Sequence, residues 1–517
     1  MYKYIIVGSG PSGVSAANVL QGKNICLLDV GNLSDQPNFP FSSLGNALDS
    51  GDVKQVLGPN WELIKDSLFS QKIHSKTRAA GLRHVLNGEL CNVFDEISKI
   101  NSIAGSYAAG GMSNIWGAQL LRYTDSDLSN LGDWPIFQND LDPYYSSLES
   151  HIGISGINDD MQEYFGSTRK LLPAIKITPC AQYLLNNYNK GYKNGKFVLG
   201  FPRLALLTKK YRGYNPHSFG ELEFFTTQHS GVYTAKRTLF ELKNNKSIDY
   251  INNHKVISYK EKSDYVEVVA IDLKDNRKII FKTKHLLIGA GTIHTAKLVL
   301  TSNNNFEIKL PFIDHLPQLL PLFIPKMFGF NLPKKSYPIQ LTASFDKTDF
   351  LSLYYPGGLL RSDFLSSFPL PLDLSLRVLP YLLSGIMVAQ IWEPTKSSKL
   401  NYFKLNKFGD PEIYYPDRKE YSKTSDLLGY LRNLGAYSLK NFSESTTPGW
   451  GFHYVGTLPM RNRPGLFETY IDGRLYGSKR VRIIDGSVIP SLPAKNHSFT
   501  IMANASRIAD ETIKCGY

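Results

Sequence analysis

Cysteine is scarce in this chain: four residues in 517, Cys26, Cys91, Cys180 and Cys515. Their spacing fits neither a disulfide framework nor a zinc site, which points to a reducing compartment. The eleven histidines include no HExxH or similar ligand spacing, so no metal is predicted. No GxSxG elbow is present, and Cys26, on an apolar strand, belongs to a core rather than to a nucleophile. Long apolar runs are missing too. The longest uncharged stretch, 100–121, is broken by glycine, serine and asparagine. The more apolar 378–392 is shorter than the roughly 20 residues a spanning helix needs. Repeats, low-complexity tracts and charge blocks are lacking, which excludes solenoids and large-scale disorder. Nor is a secretory leader expected. "MYKYIIVGSG" runs straight into a glycine loop that cleavage would destroy, so a cytoplasmic protein is expected. Acidic residues are outnumbered, 45 against 58 Lys+Arg, for a net charge of +13. That excess suits an anionic substrate or an acidic membrane face, and equally a plain solvated surface. No zinc-finger or RNA-binding signature accompanies it, so nucleic acid is not an expected partner.

What is present begins with hydrophobic residues at 42%, enough for a large core in about two to three domains. Residues 2–8, "YKYIIVG", read as a buried parallel strand. "GSGPSG" follows, with Gly8, Gly10 and Gly13 in GxGxxG spacing, and "PSGVSAANVL" reads as a helix. Gly8 permits the tight turn, Gly10 lets backbone approach a pyrophosphate, and Gly13 lets the helix pack close to the strand. The helix N-terminus offers unpaired N–H groups to phosphate. A second strand, "NICLLD", ends at Asp29, 16 residues past Gly13, in position to accept hydrogen bonds from an adenosine ribose. The loop alone does not separate NAD from FAD.

Further along, "SYAAGGMSNIWG" at 106–117 removes two side chains in succession at Gly110 and Gly111, as where backbone lies close to a flat ligand. Ser113 and Asn114 then supply polar groups. "HKVISYKE", "YVEVVAID" and "RKIIFKTK" read as a meander, followed by a fourth strand, "HLLIGAG", that ends in Gly289 and Gly291 before the helix "TIHTAKLVL". Near the C-terminus "VRIID" is a strand ending at Asp485. "SFTIMANASRIAD" is a helix with Ser498 as the expected N-cap and Asn496 and His497 just ahead of it. The positive end of that helix suits a reduced flavin, which carries negative charge near N1 and its C2 oxygen.

Five blocks in order along the chain resemble the glucose–methanol–choline (GMC) family of FAD-dependent oxidoreductases. They are "VGSGPSGVSAANVL" (7–20), "GGMSNIWG" (110–117), "LLIGAGTIHTAKLVL" (286–300), "HYVGTLPM" (453–460) and "IDGSVIPSLPAKNHSFTIMANASRIAD" (484–510). With their flanking strands they span roughly a quarter of the residues. "DWPIFQNDLDPYY" (133–145) and "IDHLP" (313–317) are lesser echoes, and the blocks at 110–117 and 133–145 most resemble the pyranose-oxidase-like branch. The resemblance implies an α/β fold (α+β overall): a Rossmann-type FAD-binding domain from 1–135, 230–305 and 450–517, intertwined with an antiparallel-sheet substrate domain from 136–229 and 306–449.

It implies, position by position, that Gly8, Gly10, Gly13, Gly289 and Gly291 hold the FAD with Asp29 on its ribose. Val256 lies beside adenine, Gly111, Ser113 and Asn114 line the flavin, and Asp485 and Gly486 sit near the ribityl chain. His453 matches the catalytic histidine. Asn496 matches the second active-site position; His497 also competes for it, and counting back from "TIMANASRIAD" favours Asn496. No histidine occurs in "MSNIWG", so the FAD is expected to be noncovalent.

The implied reaction is oxidation of a CH–OH donor, a sugar, polyol or glycan precursor, with hydride moving to flavin N5 and His453 accepting the hydroxyl proton. The electron acceptor and the oligomer stay open, as do two alternatives: redox-neutral sugar epimerisation and a non-catalytic flavoprotein. Read without those blocks, His453 is a core histidine capping the Gly456-Thr457 turn. His74, His217, His229 and His315 read as surface or loop positions. Residues 314–335, apolar then basic, read as a substrate-covering loop or as a contact with the inner face of a membrane.

Overall fold

A computed structural model describes residues 1–32, 87–130, 134–166, 168, 170–191, 195–219, 231–330, 332–333, 335–357, 360–361, 364–365, 368–418, 421 and 423–515. His74 and His229 fall outside the described residues. The architecture is mixed α/β, with a Rossmann-type sheet and a separate antiparallel sheet facing one cavity.

The first sheet has seven strands. Tyr2–Val7 pairs in parallel with Ile25–Leu28 on one side and with the end of Arg277–Ile288 on the other. Asp249–Ile251 and Val481–Ile483 extend it in parallel. Pro11–Leu20 and Ser498–Lys514 pack together, and the Ser506 hydroxyl reaches the Ser15 carbonyl. Gly13 explains how close the first helix comes to its strand. A Cβ there would stand 1.9 Å from the Gly8 carbonyl oxygen.

"RKIIFKTK" and "HLLI", expected as two strands, form one, Arg277–Ile288. Its first half alternates exposed and half-buried residues and pairs antiparallel with Val266–Asp272. Its last four residues are all buried, between Tyr2–Val7 and Val481–Ile483. A meander with one wet face and a parallel sheet covered on both faces demand different patterns, and one strand passes from one to the other.

The second sheet has six antiparallel strands, in the order Glu444–Ser445, Gln318–Phe323, Ile386–Trp392, Asp349–Tyr354, Ile339–Phe345, Phe197–Gly200. Side chains alternate across it. Leu320, Leu322, Met387, Ala389 and Ile391 enter a core with helices Pro179–Asn189 and Thr424–Asn433. Their neighbours Leu319, Pro321, Val388, Gln390 and Trp392 face the cavity. The expected loop over 314–335 is corrected here: Gln318–Phe323 is an interior strand and Pro325–Met327 a 3-10 turn. A third sheet joins Leu90–Phe94 and Lys99–Ala104 to three short strands between 310 and 414. Among the described residues no helix is long and apolar enough to cross a membrane.

Candidate active site

Three helix N-termini open on one cavity of about 950 Å³. They are those of Pro11–Leu20, Thr292–Ser302 and Ser498–Lys514, and none carries an acidic residue in its first turn. Gly10, Thr292 and Ser498 line the space. Positive helix ends that lack a cap from their own side chains, converging on one volume, favour an anionic ligand. The volume is near the top of the range for small-molecule sites, roughly 300–1,000 Å³.

The glycine turn forms one end. Gly10 has φ −64° and ψ 179°, and a Cβ there would meet no protein atom within 4 Å. What its missing side chain leaves room for is therefore something in the cavity. Gly8, Gly289 and Gly291 line the same wall, whereas Gly13 lies behind it, between helix and strand. Asp29 accepts hydrogen bonds from the Ser9 and Tyr250 hydroxyls, and burial pushes its carboxyl up to about 6. A ligand diol would meet Asp29 with Tyr250 already oriented beside it, a partner the glycine motif does not encode. Val256 lines this end too.

Midway, Gly111 and Ser113 border the cavity. A Cβ on Gly111 would lie 3.3 Å from Gly10 Cα, so the two loops are in close approach. The Ser113 hydroxyl donates to the Gly110 carbonyl and accepts from the Ala235 amide. Asn114 sits behind the wall, its amide donating to the carbonyls of Ala109 and Gly111. Both side chains are engaged in holding the loop. Asp485 behaves alike: it accepts from the Gly291 amide, the Thr295 hydroxyl and the Ser487 amide, fixing the entry to the Thr292–Ser302 helix. Burial raises its carboxyl. Gly486 lines the wall next to it.

At the far end His453 stacks on Trp392, with ring centroids 4.6 Å apart and planes at 18°. The His497 ring meets it edge-on at 4.7 Å. His453, Trp392, Asn496 and His497 all line the cavity. Asn496 Oδ1, His497 Nδ1 and Trp392 Nε1 are buried with no hydrogen-bond partner among the described residues. Such orphans cost about 1–3 kcal/mol each, a cost a bound polar ligand removes. His497, not Ser498, occupies the cap position: its carbonyl accepts the first intrahelical bond, from the Ile501 amide. Burial lowers His497 to about 3, so its ring is neutral.

The comparisons with known proteins bear on this end of the cavity. Residues 414–505, which include His453, Asp485 and Asn496, match the family model described as GMC oxidoreductase. The chain carries that C-terminal domain and is an FAD-dependent oxidoreductase. It resembles the crystal structure of pyridoxine 4-oxidase from Mesorbium loti, with TM-score 0.61, 12% identity and 99% of each chain covered. It also resembles a formate oxidase from Aspergillus oryzae RIB40, in a structure concerned with FAD modification, with TM-score 0.60, 12% identity, and 100% of this chain and 98% of that one covered. At that identity the likeness is one of fold. No curated protein sequence matches the chain.

The cavity fits the FAD that such an oxidoreductase uses: a glycine with open space before it, a carboxylate at one end, convergent helix N-termini, and orphaned polar atoms at the other.

Two histidines lie in loops, as expected, but are buried rather than at the surface. His217 is 5% exposed, its ring edge-on to Phe219 and Tyr337. His315 is 1% exposed and stands directly behind His453, Nδ1 to Nδ1 at 3.3 Å. Both sit in tertiary environments that a histidine's immediate sequence neighbours do not reveal. Trp392 was likewise legible only as part of an apolar run. The alternation of "IMVAQIW" was the available signal that every second residue leaves the core.

Proposed function

We propose that this chain oxidises the CH–OH group of a sugar, polyol or glycan precursor, using noncovalently held FAD. The reading rests chiefly on His453, a basic ring held flat against Trp392 at one end of a cavity whose other end is a dinucleotide turn. FAD, when bound, supplies the two-electron acceptor. The chain's own residues do the rest. The Gly8–Gly13 turn, Asp29, Val256 and the helix N-termini would hold the nucleotide, with Gly111, Gly289, Gly291 and Gly486 leaving the wall thin. His453 accepts the hydroxyl proton as the alcohol is oxidised, the general-base role in which histidine most often serves. Asn496 orients the hydroxyl oxygen through its amide. Residues 1–135, 230–305 and 450–517 form the FAD side. Residues 136–229 and 306–449 form the substrate side, whose wall includes Ile339, Tyr354, Val388 and Gln390. Tyr354 and Gln390, joined by a 2.8 Å hydrogen bond, give that wall polar groups suited to a polyhydroxylated substrate. Anaerobic stopped flow against sugars, phosphosugars and polyprenyl-linked glycans tests the reading. Persistent bleaching of the flavin by one of them is expected. Transient bleaching would favour epimerisation, and no bleaching by any of them would overturn alcohol oxidation.

The site of action we propose is the cytoplasm, at the inner face of a membrane. The four cysteines are unpaired, as in a reducing compartment. Phe330, Tyr381 and Leu382 are exposed, the exposed Lys326 and Lys335 lie within five residues of Phe330 in sequence, and the Gly329 amide ties this loop to the Tyr381 carbonyl. Aromatic and basic side chains together suit an anionic lipid surface. Phe330→Glu is expected to reduce co-sedimentation with phosphatidylserine vesicles; unchanged partition, or no binding by the parent chain, removes the membrane from the picture.

A further inference from the structure

Residues 313–315 and 453–455 run antiparallel. The Ile313 amide donates to the Val455 carbonyl at 3.1 Å and the Val455 amide to the Ile313 carbonyl at 3.0 Å. Two residues on along one segment and two back along the other, His315 comes opposite His453. The approach is close: a Cβ on Gly451 would stand 2.2 Å from the His315 carbonyl oxygen. His453 lines the cavity and His315 does not.

The protons on these rings can be assigned from their partners. His315 Nε2 lies 2.7 Å from the Glu393 carbonyl oxygen. A carbonyl only accepts, so Nε2 carries the hydrogen. Burial lowers His315 to about 4, so at neutral pH the ring is neutral and its Nδ1 holds a lone pair. That Nδ1 is 3.3 Å from His453 Nδ1. One of the two must donate, and only His453 can. A neutral His453 with hydrogen on Nδ1 has none on Nε2.

We propose that His315 is a positioning residue that fixes the tautomer of His453, through the chain Glu393 carbonyl, His315 Nε2–H, His315 Nδ1, His453 Nδ1–H, so that Nε2 is the atom that receives the substrate proton. The inference deepens the alcohol-oxidation reading and rests on it. The contact serves both states of the base, because the Nδ1–H that His453 donates is present before and after Nε2 is protonated. A charged His315 would instead donate to His453 Nδ1 and put the hydrogen on the wrong nitrogen. The depressed basicity of His315 prevents that. Among the described titratable groups close to His453 are His497, neutral by burial, Asp314, whose carboxylate accepts from the Gly449 amide and is pushed up to about 7 by burial, and the adjacent Tyr454, whose phenol burial raises.

The test needs no known substrate. In the FAD-loaded wild type, labelled with ¹⁵N-histidine, the His453 signals (identified by their loss in His453→Asn) are expected to show a protonated Nδ1 and a bare Nε2 at neutral pH. A proton on Nε2 overturns the proposal. The second arm uses an alcohol that bleaches the flavin. His315→Leu removes the acceptor and is expected to slow flavin reduction by about 10²-fold. His315→Asn puts a carboxamide oxygen where Nδ1 was and is expected to recover most of that loss. Equal rates in the two variants, or a wild-type rate with leucine, would also overturn it. Should no alcohol bleach the flavin, the alcohol-oxidation reading fails and the ¹⁵N spectrum still decides the tautomer.

Discussion

His453→Ala is expected to leave a yellow, folded protein whose flavin is reduced by substrate about 10²–10⁴-fold more slowly, the usual worth of a positioned general base. Two observations separate this from a general loss of structure. The ring is at the cavity wall, half-buried, and its main contacts are rings that stand on their own elements: Trp392 on a sheet strand, His497 at a helix cap, His315 on the opposite segment. The nucleotide end is built from other segments altogether, so FAD content should not fall. Stopped-flow bleaching alongside the flavin-to-protein absorbance ratio reads both quantities. Wild-type bleaching in this variant would remove His453 from the proton transfer.

Gly10→Val is expected to give a folded protein that loads FAD poorly. Its backbone angles are ones any residue adopts, also before a proline such as Pro11. A Cβ there meets no protein atom, so the apo protein should melt near the parent temperature. The added carbons project where the cofactor backbone must come close. Overpacking of this kind costs about 1–3 kcal/mol, or on the order of 10–10² in FAD affinity. Gly13→Val is the control with the opposite signature. Its Cβ would be 1.9 Å from the Gly8 carbonyl oxygen, so folding should suffer before binding does. Differential scanning calorimetry of the apo forms and FAD titration distinguish the two, and a fully loaded Gly10→Val would sink the assignment of the turn to a pyrophosphate.

These two glycines mark where sequence reasoning holds. The spacing of Gly8, Gly10 and Gly13 between an apolar strand and a small-residue helix encodes backbone geometry locally, and the structure has the strand at Tyr2–Val7 and the helix at Pro11–Leu20. Asp29 follows the second strand for the same reason. The turn that bears His453 and the Asn496-His497 pair before the last helix were legible as family blocks. Ser113 and Asn114 were legible as polar residues in a tight loop; that their side chains are engaged within it needed coordinates.

Composition and local pattern determined the glycine turn between strand and helix and the helices beside it, while the family resemblance supplied the expectation of a base and a carboxamide near the C-terminus. The turn and its helices are properties of a few consecutive residues, set by sterics and by hydrogen bonds within one turn or strand. Tertiary structure alone decided that His315, 138 residues before His453, stands behind it. It also decided that Trp392 supplies the stacking face, and that residues 277–288 form one strand rather than two. Such pairings follow from strand register and from which face is dry. Both are fixed only when distant segments share a core, because burial rewards the whole assembly rather than any single segment.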